Sequence, residues 1–290
     1  MAGAGALAAG TALAGCSSGG PATTVTPVTP VTALTDADYL NFALNLEYLE
    51  AEYYLHCATG AGLSAADSGN ATSKTVVPAT TLVPGLTALQ ASYIYEIAQN
   101  ELDHVRFLRA ALSTAALAAP AIDLMNSFNT LGAAAGLGAT FNPFANYNNY
   151  LIGAFIFEDV GVTAYHGAAK ALTVKGNLTA AAEILAVEAY HAASIRSQIV
   201  AIAPTAGTTA APTLLGIANA VQVVRASLGG GNETTLTPTS IVAAAATTSI
   251  AFDRTTDQVL HIVYGSATVG VKSGVFFPNG TNGNISVTTT

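Results

Sequence analysis

Four long segments of the chain combine dense apolar positions with breaks at glycine or proline, a pattern typical of helices packed into a bundle. The first and third segments are apolar at most positions, as in LNFALNLEYLE (40–50) and YLIGAFIFEDV (150–160). Gly60, Gly176 and Pro204 mark helix ends. The pattern predicts helices over about 36–58, 87–114, 146–173 and 177–203, and a shorter helix over about 213–228.

The connection between the second and third predicted helices is long, spans residues 115–145 and contains Pro120 and Pro143. Simple up-and-down bundles have short loops, whereas a second class of four-helix bundle has one long crossover. The sequence therefore predicts a mainly α fold, with a four-helix bundle of this second class over residues 35–204. An extra helix and a glycine linker over 205–231 follow the bundle.

The last part of the chain, residues 232–290, changes to a Thr- and Gly-rich composition and is predicted to be irregular or partly β. Thr256–Tyr264 is predicted as a short helix, and 266–271 and 285–288 as strands. The pattern leaves open whether this tail packs on the bundle or on a neighbouring subunit.

Composition narrows the class of protein. Of the 290 residues, 51% are hydrophobic and only 9% are charged, against roughly 25% charged residues in ordinary soluble domains. The net charge of −8 with nine Lys and Arg argues against nucleic-acid binding. A weakly charged, Thr-rich surface favours an exported protein or one that packs against its own copies, which predicts a homo-oligomer or a surface assembly.

Acidic residues are concentrated in the four apolar segments, where two copies of a metal-ligand pattern occur. Glu-x-x-His appears twice, and each copy follows a segment in which a tyrosine stands seven residues after a glutamate. Residues three or seven positions apart share one helix face. The inward carboxylates and imidazoles predicted in this way are Glu47, Glu101, His104, Glu158, Glu188 and His191, with Tyr54 and Tyr165 as hydrogen-bond partners that orient them.

Charge arithmetic supports a site for two metal ions. A glutamate on the inner face of an apolar helix is costly unless it is paired or bound to metal. Four carboxylates carry −4, which two divalent cations would neutralise. Oxygen and imidazole ligands suit iron, with manganese as the alternative. Glu50 could replace Glu47 as a ligand, and a bundle that has lost its metals is the alternative reading of the whole pattern. We expect Glu52, Glu96 and Glu183 to be solvated. Arg106 and Arg196 could anchor carboxylates around the site, with ordinary surface pairing as the alternative.

Residues 1–19 include Leu13-Ala14-Gly15-Cys16 and resemble the lipobox of bacterial lipoproteins, although no basic residue precedes it. The resemblance implies lipidation of Cys16 and a periplasmic, outer-membrane-anchored or extracellular location; a misplaced start is the alternative. Residues 20–34 repeat Val-Thr-Pro and predict an extended linker.

Residues 40–54, the two Glu-x-x-His motifs and Phe157-Glu158-Asp159 together resemble the ferritin-like family that includes plant desiccation-related proteins and bacterial and fungal stress proteins. The resemblance covers about residues 35–204. The tail, at residues 258–265 and 276–280, resembles bacterial members, which together with the lipobox-like segment implies an exported bacterial member. It implies a ferritin-like bundle in which Glu101 and Glu188 bridge two metals. It also implies that the other four ligands are terminal.

Two hypotheses for function follow from the sequence. One is a di-iron or di-manganese oxidoreductase that acts on O2 or peroxide and serves in stress defence. The other is a structural or self-assembling surface protein on a ferritin-like scaffold, in which metals only stabilise the fold or are absent. Iron storage is the weaker third option, because the tail after the fourth helix is long.

Overall fold

A computed structural model describes residues 33–70, 75–202 and 213–290. Cys16, the lipobox-like segment and nearly all of the Thr/Pro-rich linker lie outside the described residues, so their predicted roles stay predictions. Within the described ranges, no helix is long and apolar enough to cross a membrane.

Four long helices form the bundle, and each lies within four residues of its predicted bounds. They are α1 (Asp36–Thr59), α3 (Ala88–Leu112), α5 (Tyr147–Ala169) and α6 (Lys175–Ile202). Shorter helices lie around them: α2 (Ala65–Ser68), α4 (Asn126–Ala134) in the crossover, α7 (Leu214–Leu228) and α8 (Thr256–Tyr264). The mainly helical, ferritin-like fold predicted from the sequence is confirmed.

Local sequence signals explain where the helices begin and end. Thr87 and Gln90 form a reciprocal capping box at the start of α3, and Thr255 and Gln258 do the same for α8. Helix α1 ends at Gly60, whose φ of 78° is left-handed and favours glycine. Each cap satisfies backbone groups that a helix end leaves without partners.

Helices α1 and α5 form the interior of the bundle and are antiparallel. Every residue of α1 from Leu40 to Tyr54 is buried, which accounts for the apolar character all round this helix. The Tyr53 hydroxyl donates to the Tyr150 carbonyl at 2.8 Å, and this bond joins the end of α1 to the start of α5. Helix α1 also packs along α3, and α5 packs along α6.

The tail packs on the bundle, which answers the question that the sequence left open. The backbone N–H of Asn282 donates to the Asn45 side chain of α1 at 2.9 Å. The backbone N–H of Arg254 donates to the Thr163 carbonyl of α5 at 3.0 Å. The strands predicted at 266–271 and 285–288 do not form; the described tail contains only isolated bridges. Left-handed glycines at Gly265, Gly270 and Gly283 turn the chain too often for a ladder to extend.

A buried network of ion pairs fixes this tail and α7 to α5. Arg196 and Arg225 both donate to Asp159 Oδ2 at 2.7 Å, and Glu233 accepts from Arg225 and Arg254, also at 2.7 Å. Surface pairing, the alternative considered for Arg196, is therefore wrong, because α7 and the tail cover this residue and leave it 2% exposed. Arg196 instead binds the buried Asp159 carboxylate.

Glu52 is likewise buried, contrary to the prediction that it is solvated. The chain after α1 turns back over it, so that the Leu63 N–H donates to Glu52 Oε1 at 3.2 Å. Glu96 and Glu183 are exposed as predicted.

The buried network yields a prediction for stability. Glu233→Gln leaves Arg254 without a compensating charge and leaves Arg225 with Asp159 alone. Breaking this buried network should lower the free energy of unfolding by about 3–5 kcal/mol. Arg106→Ala, which breaks an exposed pair with Asp67, should cost about 0–1 kcal/mol. Urea denaturation of the metal-free protein measures both, and an equal effect of the two substitutions would contradict the structural role assigned to the network.

Candidate metal centre

The four long helices each direct a glutamate to one level of the bundle, where the six predicted ligand residues meet. Their ligand atoms form two groups, and within each group the atoms all lie within 4.8 Å of one another. We call them the His104 group (Glu47, Glu101, His104, Glu188) and the His191 group (Glu101, Glu158, Glu188, His191). Glu101 and Glu188 belong to both groups.

The two oxygens of Glu101 face different groups. Oε2 lies 3.4 Å from His104 Nδ1, while Oε1 lies 2.9 Å from His191 Nδ1. The terminal carboxylates complete the arrangement, with Glu47 Oε2 at 3.2 Å from His104 Nδ1 and Glu158 Oε2 at 3.5 Å from His191 Nδ1. A carboxylate that presents one oxygen to each group has the geometry of a bridge between two ions.

The inward-facing atoms of this site are buried and have no hydrogen-bond partner, although buried polar atoms in proteins are nearly always paired. Each such atom costs roughly 1–3 kcal/mol of desolvation. Carboxylate oxygens and neutral imidazole nitrogens are ligands for divalent first-row metals, so the residues fit two such ions. The unpartnered atoms are Glu47 Oε2, both oxygens of Glu101, His104 Nδ1, Glu158 Oε2, both oxygens of Glu188 and His191 Nδ1.

Two tyrosines hold the terminal carboxylates in a reciprocal arrangement across α1 and α5. The Tyr54 hydroxyl of α1 donates to Glu158 Oε1 of α5, and the Tyr165 hydroxyl of α5 donates to Glu47 Oε1 of α1. In each glutamate one oxygen is therefore occupied by a tyrosine, and the other faces a ligand group. Such contacts orient a ligand and stiffen the site.

Burial and mutual repulsion shift the pKa values of the acids. Burial raises the pKa of Glu47 to about 7. Burial, together with the charge of Glu101, raises the pKa of Glu188 well above its usual value. Burial alone would also raise the pKa of Glu101, but the nearby imidazoles of His104 and His191, which favour the ionised carboxylate, outweigh it and lower this pKa. The metal-free site therefore retains protons that bound cations would replace.

Burial and the neighbouring charges have opposite effects on the pKa values of the histidines. Burial disfavours the charged imidazolium, yet the Glu158 and Glu101 carboxylates raise the pKa of His191 to about 11. His191 Nε2 lies 3.1 Å from Asn100 Oδ1. Because that oxygen can only accept, the bond places a proton on Nε2 and, in the neutral ring, leaves the Nδ1 lone pair for a metal.

Sequence reasoning missed Asn100 and Gly161, and it weighed Glu50 only as a substitute for Glu47. Glu50 is 4% exposed but belongs to neither ligand group; burial and the Glu188 charge raise its pKa well above the usual value. Gly161 of α5 lies against Glu188, whose carboxylate occupies the space that a Cβ would take. The spacing of residues along one helix cannot predict these contacts, because they join different helices.

Access to the centre lies between α3 and α6, whose backbones approach each other less closely than those of the other neighbouring long helices. Two grooves open there. The groove over His191 has a volume of about 470 Å³ and is lined by Tyr93, Glu96, Ile97, Asn100, Val187, Tyr190, His191 and Ser194. The groove over His104 has a volume of about 280 Å³ and is lined by Asp103, His104, Phe107, Ala180, Glu183, Ile184 and Val187.

Comparison with known proteins adds a family and two relatives. A family model described as a ferritin-like domain matches residues 35–201, the stretch that contains all six candidate ligands. The ferritin-like catalase Nec2 of Nesocodon mauritianus is 29% identical over 268 residues, covering 86% of this chain and 84% of that protein. The desiccation-related protein PCC13-62 of Craterostigma plantagineum is 31% identical over 202 residues, covering 67% of this chain and 63% of that protein.

Gly161 offers a test of the geometry of the site. A methyl group at this position would overlap the Glu188 carboxylate, so Gly161→Ala should displace Glu188 and weaken metal binding by at least the roughly 10–100-fold seen when supporting contacts of a ligand are lost. Gly176→Ala is the matched control, because a Cβ there would meet nothing within 4 Å. Competition with a chelator measures both affinities, and unchanged affinity in Gly161→Ala would contradict the assigned position of Glu188.

Proposed function

Since the chain belongs to the family of proteins with a ferritin-like domain, we propose that it binds two divalent metal ions between α1, α3, α5 and α6 and uses them to decompose hydrogen peroxide. Iron is the preferred metal and manganese the alternative, because the donors are carboxylate oxygens and imidazole nitrogens.

The observation that carries the metal proposal is the set of unpartnered donor atoms in two groups that share Glu101 and Glu188. Charge supports it as well. The four glutamates carry −4 when ionised, two divalent ions supply +4, and Glu50 can stay protonated because burial raises its pKa. Such a centre is neutral in the apolar interior, which removes the cost of burying charge.

Peroxide is proposed as the substrate from the name of one relative and from the access to the centre. That relative is a ferritin-like catalase, and the similarity extends over most of both chains. Two redox-active ions held by the two ligand groups would supply the two-electron chemistry by which two molecules of peroxide give two of water and one of O2.

The chain's own residues position the centre for this reaction. Tyr54 and Tyr165 fix the outer oxygens of Glu158 and Glu47, so both carboxylates keep one oxygen directed inward. The buried faces of α1 and α5 exclude water from behind the site. His104 and His191 line the two grooves, so a small molecule can reach the centre from the α3–α6 side.

Export, lipid attachment at Cys16 and assembly into a homo-oligomer remain separate proposals that rest on sequence features. A scaffold in which bound metals only stabilise the fold is the alternative function. The two functions differ in one measurable respect: a scaffold would gain thermal stability from metal and would leave peroxide unchanged.

Metal content tests the first half of the proposal. Anaerobic loading with Fe(II) should give two ions per chain, one for each ligand group, as measured by elemental analysis. Glu101→Ala and Glu188→Ala should each lose most of this metal, because both residues belong to both groups. Glu96→Ala on α3 and Glu183→Ala on α6 remove exposed acids of the same helices and should keep it. Fewer than one ion per wild-type chain would sink the proposal.

Oxygen evolution tests the second half. The metal-loaded protein should release one O2 for every two peroxides consumed, as measured with an oxygen electrode. Glu101→Ala should lower the rate by at least about 100-fold, since removing a ligand should cost no less than losing its supporting contact. Arg106→Ala, which is on the same helix as Glu101 but lines neither groove, is the control with an unchanged rate. Peroxide consumption without O2, or equal losses in both variants, would contradict a catalase-type reaction.

A further inference from the structure

The groove over His191 is much larger than peroxide requires. Its volume is about 470 Å³, whereas a water molecule takes roughly 30 Å³ and hydrogen peroxide less than about twice that. Sites for small organic molecules occupy roughly 300–1,000 Å³. The groove therefore has room for an organic molecule beside the metal centre.

The lining of this groove favours a neutral aromatic molecule. Tyr93 of α3 and Tyr190 of α6 stand on opposite walls and are 39% and 75% exposed, so their rings are available for stacking. Glu96 is the one charged side chain among the described residues of the lining, apart from His191. That acid has no neighbouring lysine or arginine, and His191 already faces Glu101 and Glu158, so carboxylates and phosphates are disfavoured. Asn100 and Ser194 add an amide and a hydroxyl that can hydrogen-bond a phenolic O–H.

We propose that this groove binds a phenol, and that the phenol reduces peroxide at the adjacent centre. The inference rests on the proposed function and extends it to a second class of substrate. Two phenols each give up one hydrogen atom, as one electron and one proton, and become phenoxyl radicals. The O–O bond of one peroxide breaks, and its two oxygens take up the two electrons and two protons to form two molecules of water.

The position of His191 makes the transfer short. Its ring is part of the groove wall, and its Nδ1 lies 2.9 Å from Glu101 Oε1 in the His191 group. A phenol on the groove floor is thus separated from the centre by one imidazole. The separate groove over His104 gives peroxide its own route, so the two substrates need not compete for one opening.

Binding to the metal-free protein is the first test, with 4-methylphenol as the probe and saturation-transfer NMR as the measurement. We expect saturable binding, and we expect Tyr93→Ser and Tyr190→Ser each to weaken it by about 3- to 10-fold, the value of one aromatic contact. Tyr95→Ser is the matched control: this tyrosine is on the same helix as Tyr93, is 59% exposed and lies outside the groove. Benzoate and cyclohexanol should bind more weakly than 4-methylphenol.

No saturable binding, equal weakening by Tyr95→Ser, or equal affinity for cyclohexanol would overturn the assignment of the groove. Because this experiment contains neither metal nor peroxide, its result is independent of the catalase-type activity.

Turnover is the second test. With peroxide present, the metal-loaded protein should convert 4-methylphenol to its fluorescent coupled dimer, and Tyr190→Ser should raise the KM for the phenol by about 3- to 10-fold. Evolution of O2 without any coupled phenol would overturn this inference and leave the proposed function intact. Absence of metal binding would defeat the proposed function whatever the phenol-binding result.

Discussion

The burial of five carboxylates and two imidazoles within one level of a helical bundle is the constraint on which the rest of the structure depends. An ionised carboxylate in an apolar interior is far less stable than in water unless opposite charges or hydrogen bonds compensate it. Glu47, Glu50, Glu101, Glu158 and Glu188 are all 4% exposed or less. Part of this cost is compensated by the two imidazoles, by the two tyrosine hydroxyls and by protons that the carboxylates retain. The ligand atoms without a hydrogen-bond partner face one another in the two groups. Two cations would compensate the remainder.

A second buried cluster of charges lies on the other face of α5. It has an excess of positive charge, whereas the first cluster has an excess of negative charge. Asp159 follows Glu158 directly, but one residue along a helix turns by about 100°. Glu158 therefore faces the metal centre, while Asp159 binds Arg196 and Arg225. Three arginines and two acids make up this cluster. One turn of α5 thus carries the acids of both clusters, so the ion pairs that hold the tail also fix the helix that supplies a candidate metal ligand.

Much of this arrangement could be predicted because it repeats along single helices. The Glu-x-x-His spacing placed Glu101 with His104 and Glu188 with His191, and the seven-residue spacing indicated that Tyr54 and Tyr165 point inward. Family membership and the bundle are confirmed.

Contacts between helices could not be predicted in the same way. Three such contacts depend on how the helices pack. Tyr54 binds the glutamate of the opposite helix, Asn100 supports His191, and Gly161 leaves space for Glu188. Burial of Glu52 and Arg196 depends on segments that fold back from elsewhere in the chain. The strand prediction was wrong because it relied on the β propensity of threonine and valine. It took no account of the neighbouring glycines, which adopt left-handed backbone conformations.

The bundle has a closed side and an open side, so one fold holds a buried cluster of charges and still leaves grooves that reach it. Helices α1 and α5 are buried nearly throughout, and their tyrosines fix the carboxylates on the closed side. Helices α3 and α6 supply both histidines and both candidate bridging carboxylates, yet they leave two grooves between them. If α3 and α6 packed as tightly as α1 and α3, the histidines would be sealed from solvent. The looser pair therefore gives access at the two candidate histidine ligands, which line the grooves, while rigidity comes from the opposite pair.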